Sequence, residues 1–232
     1  MAKEVVGSMS DWSGVLKDLF RQIDDGSLAL EQVKALVGHR NPFIILDSLL
    51  QEWSRFYQKY FGLELDFSDL NVSEPPPGFE RLIIVVQGLT LNQVYDVCAE
   101  HFTCWRYADD LDKAVPNNDR DPAKGAYAVW FRNRQEADEE LRNLSVDQLK
   151  EKGILGITLL ERLLYELKYW DEAKDHLDIS NWTLCTGSRD ADGDVPLVHW
   201  RGGELKVHWR SVGSHDDCLR SRAAVPCLPK AD

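Results

Sequence analysis

Apolar residues in the first 60 positions recur with the spacing of helices. A first segment places large apolar side chains at intervals of three and four residues, at Trp12, Val15, Leu16, Leu19, Phe20 and Ile23. A shorter amphipathic segment follows, and a third carries an aromatic stripe at Trp53, Phe56, Tyr57 and Tyr60. We therefore predict a helical domain over residues 1–72, built from three short amphipathic helices.

A proline-rich stretch at residues 73–78 separates this pattern from a mixed one. Its three consecutive prolines fix φ and remove backbone donors, which is typical of a stiff connector. We place the domain boundary there and predict an α+β domain over residues 79–232. The strand patterns in it run over 81–86 and 127–131.

Helix-start signals organise the rest of this second domain. Thr90 is predicted to begin a helix that ends near His101. Ser145 with Gln148, and Thr158 with Glu161, have the three-residue spacing of a capping box. The charged stretch over 135–149 is predicted to be helical, and the Leu-rich segment after Thr158 is predicted to be a strong helix.

The clearest pattern is a hairpin over residues 195–210. Two alternating runs flank Gly202-Gly203, a pair typical of two-residue turns. That turn places Arg201 opposite Glu204 and, two pairs further, His199 opposite Lys206. Because side chains alternate between faces, the first face holds Val198, Trp200, Leu205, Val207 and Trp209. We expect its two tryptophans to anchor the hairpin to the core.

The opposite face is polar and rich in recognition side chains. A solvated sheet face with a cross-strand Arg201–Glu204 ion pair is the simpler interpretation. The functional interpretation is a ligand-binding surface on a rigid scaffold. Its predicted residues are Asp190, Asp194, Leu197, His199, Arg201, Glu204, Lys206, His208 and Arg210.

Metal binding is not favoured near this hairpin. The run from Asp190 to Asp194 is read as a turn around Gly193, because it lacks the ligand spacing of an EF-hand. His199 and His208 share a face, but Zn²⁺ would need a third ligand nearby, and Lys206 directly opposite His199 disfavours a cation. We expect neither a metal nor another cofactor.

Composition narrows the class of protein. The 232 residues carry a net charge of -12, which argues against nucleic-acid partners and against anionic membranes. No apolar run approaches the ~18 residues of a membrane span, and no secretory segment follows Met1. Five cysteines without a C-x-x-C pattern indicate reduced thiols. We therefore expect a soluble cytoplasmic protein whose partner is an unidentified protein or small ligand.

Two other functions stay open. An enzyme would have its site near His101, Asp109, Asp110 and Glu136, where titratable groups cluster along the chain. The sequence contains none of the short catalytic motifs of the common enzyme classes, so catalysis is the weaker hypothesis. A structural or assembly protein would oligomerise through its helical N-terminus, and the sequence does not determine the oligomeric state.

Two resemblances complete the sequence evidence. The blocks Tyr127–Arg132, Glu136–Leu141, Leu159–Leu164 and Thr183–Cys185 resemble a family of uncharacterised bacterial proteins, which implies no activity. Residues 187–189, the strands ending at Trp209 and residues 216–222 resemble C-type-lectin-like domains of the formylglycine-generating-enzyme-like and retroelement-diversified kind. That second resemblance implies a scaffold whose outward side chains vary so that it binds changing ligands.

Overall fold

The computed structural model describes residues 9–28, 30–37 and 46–227, and the chain divides between residues 44 and 45 into two compact units. The described part of the first unit contains helices α1 (Met9–Asp24) and α2 (Leu30–Val37). The apolar side chains of Trp12, Val15, Leu16 and Phe20 on α1 are exposed.

The second unit is an α+β assembly. Its helices and strands are, in chain order, α3 (Leu46–Phe61), β1 (Arg81–Val85), α4 (Leu91–His101), β2 (Cys104–Arg106), α5 (Leu111–Ala114), β3 (Asn117–Asn118), β4 (Tyr127–Phe131), α6 (Val146–Glu151), α7 (Leu159–Ala173), β5 (Trp182–Leu184), β6 (Ser188–Arg189), β7 (Val195–Arg201), β8 (Glu204–Arg210), β9 (Leu219–Arg220) and β10 (Val225–Pro226). Short 3₁₀ turns lie at Pro122–Lys124 and Glu139–Leu141.

The division between units differs from the predicted boundary at 73–78. Helix α3 belongs to the second unit, because its aromatic stripe is buried there and the Tyr57 hydroxyl donates to the Ile84 carbonyl at 2.7 Å. The Trp130 indole N–H donates to the Ser73 carbonyl at 3.0 Å. The prolines therefore stiffen a connection inside the second unit.

Helix α7 is the centre of this unit and contacts α4, β1 and β7. Thr158 and Ser145 begin their helices with the predicted capping boxes, and Thr90 begins α4 as predicted, there with a capping box to Gln93. The predicted helix over 135–149 is wrong in its first half. Its acidic side chains bind arginines from outside a helix, as Asp138 does with Arg132 at 2.6 Å, so only α6 and a 3₁₀ turn form.

The strands form three sheets. Strands β1, β4 and β10 make an antiparallel sheet in the order β1-β4-β10, and β3 pairs with β6. The five-stranded sheet has the order β2-β8-β7-β5-β9. In it β7 and β8 form the predicted hairpin in the predicted register, with His199 opposite Lys206. Gly202 (φ +69°) and Gly203 (φ +82°) supply the two positive φ angles that a type I′ turn requires.

Candidate ligand-binding site

The first face of the β7–β8 hairpin is buried, as predicted, at Val198, Leu205 and Val207. The tryptophan anchors are only half correct. Trp200 is partly buried and stacks flat on His176 with ring centroids 3.3 Å apart. Trp209 is 48% exposed, because β2 pairs with β8 only as far as Val207 and the strand end beyond it is not paired by β2.

The opposite face is not the uniformly solvated surface of the simpler interpretation. Leu197 is 1% exposed and packs in a core cluster with Val146, Leu184 and Leu219. His199 is 3% exposed, so the prediction that both side chains point outward to solvent is wrong. The cause is tertiary: residues from α6, β5 and β9 cover Leu197, and the ring of Trp182 on β5 stacks on His199.

The acidic residues before β7 close a turn. The Asp190 carboxylate accepts from the backbone N–H groups of Asp192 at 3.0 Å and Asp194 at 2.8 Å, and Asp190 is itself buried. Gly193 takes φ +91° at the tip, as the turn interpretation requires. These hydrogen bonds show that Asp190 stabilises the turn. Ligand binding by Asp190 or Asp194 stays a prediction.

The same face contains a pocket of about 250 Å³, which begins at the buried side chains of Leu197 and His199 and extends to the exposed end of the hairpin. Its lining residues come from three adjacent strands and are Trp182, Leu197, His199, Arg201, Lys206, His208 and Arg210. The sheet places them together because β5 pairs with β7, and β7 with β8. We call this site the basic pocket.

A row of aromatic rings crosses the sheet at the basic pocket. Trp182 stacks on His199 at a centroid distance of 4.8 Å, and the imidazoles of His199 and His208 are 5.8 Å apart and nearly parallel. Trp105 on β2 follows at 4.5 Å from His208 and is 41% exposed. The rings hold the two imidazoles in fixed orientations, which is the preorganisation that a binding site needs.

The pocket is electropositive in an acidic protein. Among the described residues that line it there are three cations, Arg201, Lys206 and Arg210, and no carboxylate. Glu204 lies beside the pocket and pairs with Lys206 at 2.7 Å, instead of with Arg201 as predicted. The Arg210 guanidinium lies 5.7 Å from the centre of the Trp182 ring and donates to the Trp209 carbonyl.

The surroundings of both imidazoles disfavour their protonated form. Burial, followed by the positive charges of neighbouring side chains, lowers the pKa of His199 to about 4. Burial and the charges of Arg210 and Lys206 also lower the pKa of His208. Within the described part of the chain, the buried Nδ1 of His199 has no hydrogen-bond partner. A buried polar atom without a partner costs roughly 1–3 kcal/mol, and such atoms recur at functional sites.

The residues of the enzyme hypothesis have separate partners in the structure. His101 lies between the rings of Tyr60 and Trp170. Asp110 caps α5, and Glu136 accepts from the backbone N–H groups of Ser180 and Asn181. Asp109 is exposed. In residues 46–227, no described contact brings these side chains together around a pocket.

A second charged cluster, beneath the hairpin, is fully buried. Asp178 accepts from Arg162 at 2.9 Å, from Arg222 at 2.6 Å and from the Thr183 hydroxyl at 2.6 Å. Glu166 pairs with Arg162 at 2.7 Å. Because every member has a charged partner and none reaches solvent, the cluster ties α7 to the five-stranded sheet.

Sequence reasoning missed Trp182 and Trp105. Trp182 belongs to the short run Trp-Thr-Leu, in which Trp182 and Leu184 share one face of the strand. The pairing of β5 with β7 places that face on the side of the pocket. Trp105 has no comparable signal, because its strand is three residues long and pairs with β8 in parallel across a large sequence separation.

Comparisons of the chain with protein-family models, curated proteins and solved structures gave no match. The C-type-lectin-like resemblance therefore stays a prediction. In the described residues, no helix is long and apolar enough to cross a membrane, and no group of three His, Cys, Asp or Glu side chains could hold a metal ion.

Proposed function

We propose that this protein is a non-catalytic binding protein whose small ligand occupies the basic pocket. One observation carries the proposal: the pocket closes on a buried imidazole whose Nδ1 has no partner in the described chain, between cations on a rigid hairpin. Ligand sites are concave, largely preformed and contain a few fixed polar groups, and the pocket has these properties.

The test is a screen of small anionic, cationic and neutral compounds by NMR, with the indole N–H of Trp182 as the reporter. We expect compounds that shift this signal in the native protein to lose that effect when Arg201→Gln and Arg210→Gln are combined. The control combines Lys150→Gln and Lys152→Gln, which removes the same charge from exposed lysines outside the pocket. Equal binding to the native protein and the pocket variant would refute the proposal.

The assembly hypothesis also has an observation in its favour. Helix α1 exposes Trp12, Val15, Leu16 and Phe20, and apolar side chains of this size on one helix face are typical of association surfaces. Light scattering of the full chain and of a Trp12→Ser, Phe20→Ser variant tests it. A monomeric native chain would contradict oligomerisation through α1.

A further inference from the structure

The charges around the basic pocket define the chemistry of its ligand. Three cationic side chains converge on a volume of about 250 Å³, which is smaller than the ~300–1,000 Å³ of pockets for drug-sized ligands. Lys206 is neutralised in part by Glu204, whereas Arg201 has no hydrogen-bond or ion-pair partner in residues 46–227. A pocket of this kind holds like charges close together, and a bound anion offsets their repulsion.

We propose that the basic pocket binds a small dianionic oxyanion group, as in a phosphate monoester or a dicarboxylate, and that its imidazole pair takes up a proton from solvent when the group enters. The inference rests on the proposed binding function and names the class of ligand. A dianion fits better than a monoanion, because Arg201 and Arg210 both line the pocket beside the imidazoles. The charge of Arg210 also acts on the carboxylate of Asp216, which is not a lining residue. Guanidinium groups bind the oxygens of such anions through paired N–H donors.

The proton uptake follows from what surrounds the imidazoles. On the pocket side lie Arg201 from β7, and Glu204, Lys206 and Arg210 from β8, while β5 and β2 present Trp182 and Trp105. The charge of Asp178 acts on His199 from the buried cluster on the other side of the sheet. Positive groups outnumber negative ones, which disfavours a further charge on His199 or His208. A bound dianion reverses the local sign, so the imidazolium form becomes favourable. Binding and protonation therefore strengthen each other.

Sulfate is the probe for this coupling, because its charge stays constant between pH 5 and pH 8. Calorimetry at constant ionic strength, with chloride as the balancing anion, measures sulfate binding to the full chain. We expect affinity to rise about tenfold or more from pH 8 to pH 5.5, with proton uptake detected as a heat that differs between buffers of unlike ionisation enthalpy. A phosphate monoester and succinate, compared at pH 8, distinguish the two sources of the dianion.

Two variants with opposite expected effects sharpen the test. Arg201→Gln removes a charge-assisted contact and should weaken sulfate binding about tenfold. Glu204→Gln frees Lys206 from its ion pair and should strengthen binding severalfold. The exposed-lysine control, Lys150→Gln, should leave the affinity unchanged.

The outcomes separate this inference from the proposed function. Sulfate that binds no more tightly than acetate, or that binds equally at both pH values without proton uptake, overturns the inference. If cationic or neutral compounds then shift the Trp182 signal in the NMR screen and lose that effect in the double arginine variant, the binding function stands. If no compound of any charge binds there, both fail.

Discussion

The burial of His199 predicts how the stability of the protein depends on pH. The folded-state pKa is about 4, and the ordinary value of 6.5 applies to the unfolded chain. Below pH 6.5 the unfolded chain binds a proton that the folded chain does not. The free energy of unfolding therefore falls as pH decreases from 6.5 towards 4, and this contribution is constant above and below that window.

The size of the effect follows from the same two values. One pKa unit corresponds to about 1.36 kcal/mol, so the whole shift amounts to about 3 kcal/mol, most of it lost by pH 4.5. Solvent screening does not reduce this contribution to the free energy of unfolding by much, because His199 is 3% exposed. A loss of this size is a substantial fraction of the ~5–15 kcal/mol stability of a typical domain.

The assay compares urea unfolding of the native chain with His199→Gln, which cannot titrate. Other carboxylates and imidazoles titrate in both proteins, so their contributions cancel in the difference between the two free energies of unfolding. Between pH 7.5 and pH 4.5, we expect the native chain to lose about 2–3 kcal/mol of its free energy of unfolding relative to His199→Gln. An NMR titration of the His199 ring should place its midpoint near 4. A midpoint between 6 and 7, or a constant difference in stability, would refute the reasoning.

Three further predictions, two of them with a matched comparison variant, test the rest of the structure by urea unfolding. Asp178→Asn should cost about 3–5 kcal/mol, because it removes the charge that pairs two buried arginines, and a loss below 1 kcal/mol would contradict the buried cluster. Gly202→Ala should cost about 1 kcal/mol at its φ of +69°, whereas Gly213→Ala, in an exposed turn outside the left-handed region, should be nearly neutral. Leu197→Ala should cost about 2–5 kcal/mol while Trp209→Ala costs less than about 1 kcal/mol, and the reverse order would show that the two faces are assigned wrongly.

Local patterns were sufficient wherever the structure depends on near neighbours. The hairpin register was predictable because Gly202-Gly203 sets the turn and the period of two then determines every pair. The starts of α4, α6 and α7 were predictable because a capping box is closed by residues three positions apart. The α+β class follows from the same local signals.

Burial on the hairpin was not predictable, because it depends on distant segments. A period of two tells which side chains share a face, but it does not tell whether that face is buried. Leu197 is buried because Val146, Leu184 and Leu219 pack against it. The boundary at 73–78 was misplaced for a similar reason. Prolines report local stiffness, whereas the aromatic stripe of α3 is buried in the unit that contains β1.

The sequence by itself determined the secondary structure of most of the second unit, the pairing of β7 with β8 and the set of polar side chains on one face of that pair. Only the tertiary structure decided that Leu197 and His199 on this face are buried and that Trp182 completes a basic pocket around His199. The physical reason is that turns and caps are formed by contacts within a few residues, while burial, and the pKa of a buried imidazole with it, is set by whichever part of the chain packs against it.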